Sequence, residues 1–144
     1  MNLISQFSSH LKACKTILHL EQVHAHIIRQ GLEQDHFIIT QFICLCNSLT
    51  NLPYATSVFN RVYTPSIYLW NSVIKGYCES SSFLDTVSVF VRMKRSEIVP
   101  DKYTYPSLIK ACSNGGKIRE GVVIHGSAVR CGVRRGRVCE DEFD

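Results

Sequence analysis

The sequence predicts an all-α chain of about four helix–turn–helix hairpins, stacked one after another. Three observations predict it. Between Ile67 and Asp101 the apolar residues fall at helical spacing in two runs, with a serine cluster between them. A hairpin of that size cannot bury both of its faces alone, so it demands neighbours of its own kind. Short motifs also recur about a hundred residues apart along the chain.

The central hairpin carries the clearest pattern. Leu69, Trp70, Val73, Ile74 and Tyr77 form one stripe of an amphipathic helix. Ser80, Ser81 and Ser82 interrupt that stripe and offer a cap for a second helix. Leu84, Val87, Phe90 and Val91 are the stripe expected of that second helix. Asp85 sits in its first turn, where a carboxylate complements the helix dipole. Pro100 cannot continue a helix and closes the unit.

The recurrence sets the remaining elements. Lys12-Ala13-Cys14 returns as Lys110-Ala111-Cys112, an offset of 98 residues. Val23-His24 returns as Ile124-His125, and Arg29-Gln30-Gly31 as Arg130-Cys131-Gly132, an offset of 101. The second copy therefore holds three more residues between its helices, around Asn114-Gly115-Gly116, a strong turn signal. Phe7 to Lys15 and Leu18 to Gln30 are the first helix pair, with Gly31 where a C-terminal glycine belongs. Phe37 to Cys46 and Leu52 to Val62 are the second pair. Asn47 to Asn51 form their turn, Pro53 is tolerated in a first helical turn, and Pro65 marks the unit's end. Tyr105 to Cys112 and Ile118 to Arg130 are the last pair.

Composition narrows the function classes. The chain has 144 residues, 45% hydrophobic and 19% charged, a balance that argues against disorder. No long apolar run suggests a membrane span. The formal charge of +4 is compatible with a nucleic-acid partner without demanding one. The cysteines are Cys14, Cys44, Cys46, Cys78, Cys112, Cys131 and Cys139, an odd number with no C-x-x-C pair. Neither a disulfide framework nor a zinc ribbon fits, so reduced thiols in a reducing compartment are expected. His24 and His26 are two apart and face different ways on a helix. His24 recurs as His125, which assigns that position to packing, and no metal site is expected. No phosphate loop, nucleophile motif or H-x-E…P-C-x-x-C signature is present, so no catalytic residue is predicted. The start is poor in acids before Glu21, as transit peptides are. It lacks arginine, however, and the repeat alignment uses it as a helix; no secretory signal is evident. After Gly132 the chain reads VRRGRVCEDEFD, a clustered-charge stretch without a helical stripe. Val133 to Asp144 is expected to be poorly packed, the mark of a truncated end.

The central hairpin resembles a pentatricopeptide repeat, the plant organelle RNA-binding module. The residues that carry the resemblance are Trp70-Asn71, Gly76-Tyr77, Val89-Phe90, Met93 and Pro100-Asp101. Ile67 through Asp101 is 35 residues, the length that names the family. A tetratricopeptide hairpin is the rival at about 34 residues, but its small-residue and aromatic signature is not met. Thr86 and Val87 stand where either family would place an Ala. The chain as a whole is similar to the subclass that alternates long, short and standard repeats. Ile4 to Asp35 resembles the long type, His36 to Ser66 the short type and Ile67 to Asp101 the standard type, together the observed 98 residues. Lys102 to Gly136 resembles a second long repeat, and Arg137 to Asp144 is an irregular tail.

The resemblance implies a right-handed α-solenoid that binds single-stranded RNA, one base per repeat read by two or three side chains. It implies a role in organelle RNA editing or processing, in the mitochondrion or alternatively the chloroplast. Expected partners are organelle RNA and editing-complex proteins, with no membrane and no cofactor, and the chain is expected to be a monomer. Editing members of the family carry a deaminase-like extension that this sequence lacks, so no enzyme is predicted. The fifth and last residues of a repeat select the base in that family. Here they are Asn71 and Asp101, similar to the uracil-preferring combination with cytosine second. Asn offers both a donor and an acceptor to a pyrimidine edge. Tyr68, the second residue, would pack on the base face, an interaction worth about 1–3 kcal/mol per base. The short repeat offers Thr40 and Ser66, of which Thr40 fits purine reading and Ser66 is off the pattern. The first long repeat offers Ser8 and Asp35. The second offers Pro106, which has no hydrogen-bonding side chain. A plainer reading is that Asn71 and Asp101 satisfy backbone groups at a helix start and a turn. A protein-binding helical scaffold, or a gene fragment with little function, are the other readings of the whole chain.

Overall fold

Helix starts follow from short polar side chains that accept from the backbone N–H three residues on. Asn2 Oδ1 accepts from Ser5 at 2.8 Å, Thr16 Oγ1 from His19 at 3.2 Å, Asp35 Oδ1 from Ile38 at 2.9 Å and Asn51 Oδ1 from Tyr54 at 3.2 Å. In the computed structural model, which describes residues 2–80 and 83–130, these caps open four of eight helices. The helices are α1 (Leu3–Ala13), α2 (Ile17–Arg29), α3 (His36–Ser48), α4 (Leu52–Phe59), α5 (Ile67–Ser80), α6 (Phe83–Arg95), α7 (Thr104–Asn114) and α8 (Ile118–Arg130). They form successive hairpins, and no strand occurs among the described residues. None of the described helices is long and apolar enough to cross a membrane.

Four helices end alike. The residue after the C-cap takes a positive φ, and the two N–H groups beyond the helix turn back onto its last carbonyls. After α2, Gly31 donates to the Ile28 carbonyl and Leu32 to that of Ile27, both at 3.0 Å. After α3, Thr50 donates to Asn47 at 3.0 Å and Asn51 to Cys46 at 2.9 Å. After α6, Glu97 donates to Lys94 at 3.0 Å and Ile98 to Met93 at 3.3 Å. After α7, Gly116 donates to Ser113 at 3.2 Å and Lys117 to Cys112 at 2.8 Å. Gly31 and Gly116 adopt φ of 71° and 67° without side-chain strain. Thr50 and Glu97 adopt φ of 57° and 62° against their own preference.

The chain forms two compact units divided within α5, between Val73 and Ile74. In the first unit α1 packs on α2 and α3, and α3 on α4. Phe7, Leu20, Ile27, Phe42 and Phe59 are buried there, as are Leu69, Trp70 and Val73 of the expected α5 stripe. The Trp70 ring meets Phe59 edge-on at 4.8 Å. Full burial of one such side chain contributes about 1.5–3 kcal/mol. In the second unit α7 packs on α6 and α8. Ile74, Met93, Tyr105, Leu108 and Ala111 are buried there.

Several expectations need correction. The α6 stripe is phased differently: Thr86, Val89 and Met93 face inward, while Leu84 is 71% exposed and Val91 is exposed. Hydrophobicity misled at Thr86, which is fully buried at the position where an Ala was expected. Its size and its ability to bond within the helix let it stand in for Ala. Helix α1 begins at Leu3 rather than Phe7, because Asn2 caps it early. Helix α3 runs on to Ser48, and α4 stops at Phe59 rather than Val62. Helix α5 is described to Ser80 and α6 from Phe83; Ser81 and Ser82, where the break was expected, lie outside the described residues, as does the tail from Val133 to Asp144.

Candidate nucleic-acid interface

Asp35, Ser66 and Asp101, the residues expected to end the first three repeats, have a common structural duty. Each accepts from the backbone at the start of the helix that follows. Ser66 Oγ takes the Leu69 N–H at 3.5 Å, the loosest of the three. Asp101 is the tightest: its Oδ1 accepts from the Tyr103 N–H at 2.8 Å and the Thr104 N–H at 3.2 Å. These contacts fix each side chain at the mouth of a helix, where the N-terminal dipole favours negative charge.

Two residues past each of those caps stands an exposed aromatic ring. Phe37 is 57% exposed, Tyr68 68% and Tyr103 63%. Tyr68 was expected from the sequence. Phe37 and Tyr103 were missed, although their common offset from Asp35, Ser66 and Asp101 is legible in the sequence. Lys102 Nζ lies 5.3 Å from the centre of the Tyr103 ring. Exposure leaves a ring in that position accessible for stacking.

Three residues further on come Thr40, Asn71 and Pro106, on the same helical face as the ring before them. Thr40 is half-buried on α3, and its hydroxyl donates to the His36 carbonyl at 2.6 Å. Asn71 is half-buried on α5. Pro106 is exposed on α7. Ser8, the corresponding residue of α1, is buried. Thr40 lines a groove of about 350 Å³ between α1 and α3, with Leu11, Lys12, Gln41, Cys44, Leu45 and Ser48. Gln41 Oε1 is buried there without a hydrogen-bond partner. Each of these helix starts offers an exposed ring for stacking, and α3 and α5 add a polar side chain beside it.

His24 belongs to packing. Its Nδ1 lies 2.8 Å from the Tyr54 hydroxyl, and its ring lies 4.8 Å from that of Phe42. The contact joins α2 to α3 and α4. Burial, then the Arg61 charge, holds the His24 pKa below its usual value. Burial first, then Cys46 and Glu21, pushes Tyr54 up to about 12. His125 at the matching position of α8 is exposed. Burial also raises the thiols of Cys14, Cys46, Cys78 and Cys112, Cys46 to about 12.

Residues 65–114 match the model of the PPR repeat family, and residues 103–133 match that of the PPR repeat. The first match opens at Pro65, beside the Ser66 cap, and spans α5, α6 and α7. The chain carries pentatricopeptide repeats. A pentatricopeptide repeat-containing protein of Arabidopsis thaliana is 46% identical over 134 residues, 92% of this chain and 24% of that protein. A second from the same plant is 36% identical over 116 residues, 81% of this chain and 24% of the relative. A third, whose name places it in the chloroplast, is 38% identical over 102 residues, 71% of this chain and 19% of the relative. The chain thus spans between 16% and 26% of the length of the relatives it matches. Pentatricopeptide repeats read RNA with two or three side chains per helical repeat. Their two-helix unit accounts for the alternation of helices seen here.

Proposed function

We propose that this chain binds single-stranded RNA sequence-selectively through α3, α5 and α7. The observation that carries the reading is the pairing of an exposed aromatic ring with a residue one turn later. Phe37 precedes Thr40, Tyr68 precedes Asn71, and Tyr103 precedes Pro106. A ring stacks on any base, whereas a polar side chain beside it discriminates base edges. Asn71 with Asp101 takes a pyrimidine, and Thr40 fits a purine, with Ser66 off the family's pattern. Ser8 with Asp35, where Ser8 is buried, contributes least. Asp101 and Asp35 serve both as helix caps and as neighbours of the base.

The repeat units are 4–35, 36–66, 67–101 and 102–136, in the long, short and standard alternation of the subclass, with an irregular tail over 137–144. The protein acts on transcripts in an organelle, in editing or processing, without catalysis of its own and alongside editing-complex proteins. Names of two relatives refer to the chloroplast, which favours the plastid over the mitochondrion. A protein-binding scaffold is the second reading. It is favoured by Ile118, Val122 and Val123, exposed on α8 at 80%, 66% and 65%.

Selection from a random single-stranded RNA pool tests the RNA reading. A short motif with a pyrimidine at the Asn71 position is expected. Enrichment of no sequence, together with no salt-sensitive binding to the pool, favours the scaffold.

A further inference from the structure

The second helices α2, α6 and α8 each end on an arginine, Arg29, Arg95 and Arg130, and the first helices also place their cations at one position. Helix α1 holds Lys12, α5 holds Lys75 and α7 holds Lys110, and α1, α3, α5 and α7 contain no other Lys or Arg. Lys75 lies nine residues past the Ser66 cap and Lys110 nine past the Asp101 cap. Lys12 is the counterpart of Lys110 at the 98-residue offset. On α3 the same place, nine past Asp35, holds Cys44. All four side chains are exposed.

Each of the four also stands four residues beyond Ser8, Thr40, Asn71 or Pro106. Residues at that spacing share one helical face, about one turn apart. In the first unit Lys12 lines the α1–α3 groove together with Thr40, Gln41 and Cys44. In the second, Lys110 lies within electrostatic range of Cys78 on α5, the preceding first helix. Lys12 thus stands beside the neighbouring first helix.

A strand of RNA repeats one phosphate for each base. A receptor that takes one base per hairpin meets one phosphate per hairpin, at a constant offset from the base. A cation in constant register with the base position matches that repeat. Lysine suits it, because a flexible point charge follows a phosphate without demanding a fixed angle.

Resting on the RNA reading above, we propose that Lys12, Lys75 and Lys110 each neutralise one phosphate of bound single-stranded RNA, one cation per hairpin. The α3–α4 hairpin lacks the contact because Cys44 replaces the lysine. These residues position the strand and carry no base information.

The test uses the whole chain and two fluorescent probes, an oligouridine and an oligoadenosine, titrated between about 50 and about 200 mM salt. For single strands, each phosphate neutralised contributes about 0.7 to the slope of log affinity against log salt. Lys12→Gln, Lys75→Gln and Lys110→Gln should each flatten that slope by about 0.7, leaving the preference between the probes unchanged. Cys44→Lys should steepen it by about 0.7 and tighten binding to both probes. That gain cannot come from misfolding. Arg119→Gln, an exposed change on α8, should leave the slope unaltered. If the probes bind but the lysine variants and Cys44→Lys keep the parent slope, the phosphate assignment is overturned. Equal flattening by Arg119→Gln overturns it too, since net charge alone would then explain the effect. If the parent protein binds neither probe at any salt, the RNA reading itself falls, and this proposal with it.

Discussion

Asp101 and Thr104 cap each other across one turn. The Asp101 Oδ1 accepts from the Thr104 N–H at 3.2 Å and from its hydroxyl at 3.1 Å, while Thr104 Oγ1 accepts from the Asp101 N–H at 3.0 Å. This is a reciprocal capping box with Thr in place of the usual Glu or Gln. Two orphan donors at the start of α7 are satisfied at once, and Thr104 is fully buried beneath them. The residue proposed to stand beside a base is therefore also the one that starts the next hairpin.

Asp101→Ala removes the acceptor and should lower unfolding free energy by about 1 kcal/mol. Asp101→Asn should stay close to the parent, because Asn caps about as well as Asp. Urea denaturation read by circular dichroism decides it. Equal losses in the two variants would mean that charge, not capping, is what Asp101 supplies.

Thr50 holds a φ of 57° in the turn between α3 and α4, which costs a β-branched side chain roughly 1–2 kcal/mol. Thr50→Gly relieves that strain but loosens the unfolded chain, so the net gain should be about 1 kcal/mol or less. Gly31→Ala imposes the opposite change at φ 71° and should destabilise, even though nothing lies within 4 Å of its added Cβ. Thermal melts of both variants should move in opposite directions; movement the same way contradicts the assignment.

His24 has a folded pKa below its unfolded value of about 6.5, because burial and then Arg61 disfavour its charged form. The unfolded chain thus binds more protons in that window, and stability rises with pH. The contribution is present above about pH 6.5 and is lost as pH falls through the folded value. Unfolding free energy measured from about pH 7.5 downward should decline, and His24→Phe should make the decline shallower. An identical slope in the variant would show that other groups produce it.

Of the described cysteines only Cys44 is exposed. Iodoacetamide needs an accessible thiolate, and burial raises the pKa of Cys14, Cys46, Cys78 and Cys112. Peptide mapping after brief alkylation should find Cys44 modified before those four. Modification of Cys46 first would mean that α3 opens readily.

The hairpins were legible because strong periodicity and strong breakers coincide in this chain. Trp70, Val73 and Ile74 announce the α5 face, and Gly31 and Gly116 mark helix ends with the residue that a positive φ favours. Thr50 and Glu97 make the same turn without glycine, and nothing local in the sequence signals it. The α6 face was misread because Leu84 and Val91 are more apolar than Thr86, and the buried position went to the side chain that fits. In the candidate site, Tyr68 and Asn71 emerged from the repeat pattern. The aromatic recurrence at Phe37 and Tyr103 needed the helix caps as a ruler. The double duty of Asp101 needed the hydrogen bonds themselves.

The last prediction separates base reading from positioning. Asn71 lies half-buried on α5, one turn beyond the exposed Tyr68 ring. If it meets a base edge, Asn71→Thr exchanges an amide with two donors and an acceptor for a single hydroxyl. Preference at one base should then move from pyrimidine toward purine. The salt slope should stay nearly unchanged, because phosphate contacts set that slope and base contacts do not. A lost or gained base-edge pair is worth about 1–3 kcal/mol, roughly a five- to hundred-fold change in discrimination. The measurement is a titration of short oligonucleotides that differ at one base, at two salt concentrations. If Asn71→Thr weakens every oligonucleotide equally, Asn71 serves the helix and not the base. If it changes none, the base contact lies elsewhere on α5. A shift confined to one base, with the slope intact, ties α5 to a single position in the RNA.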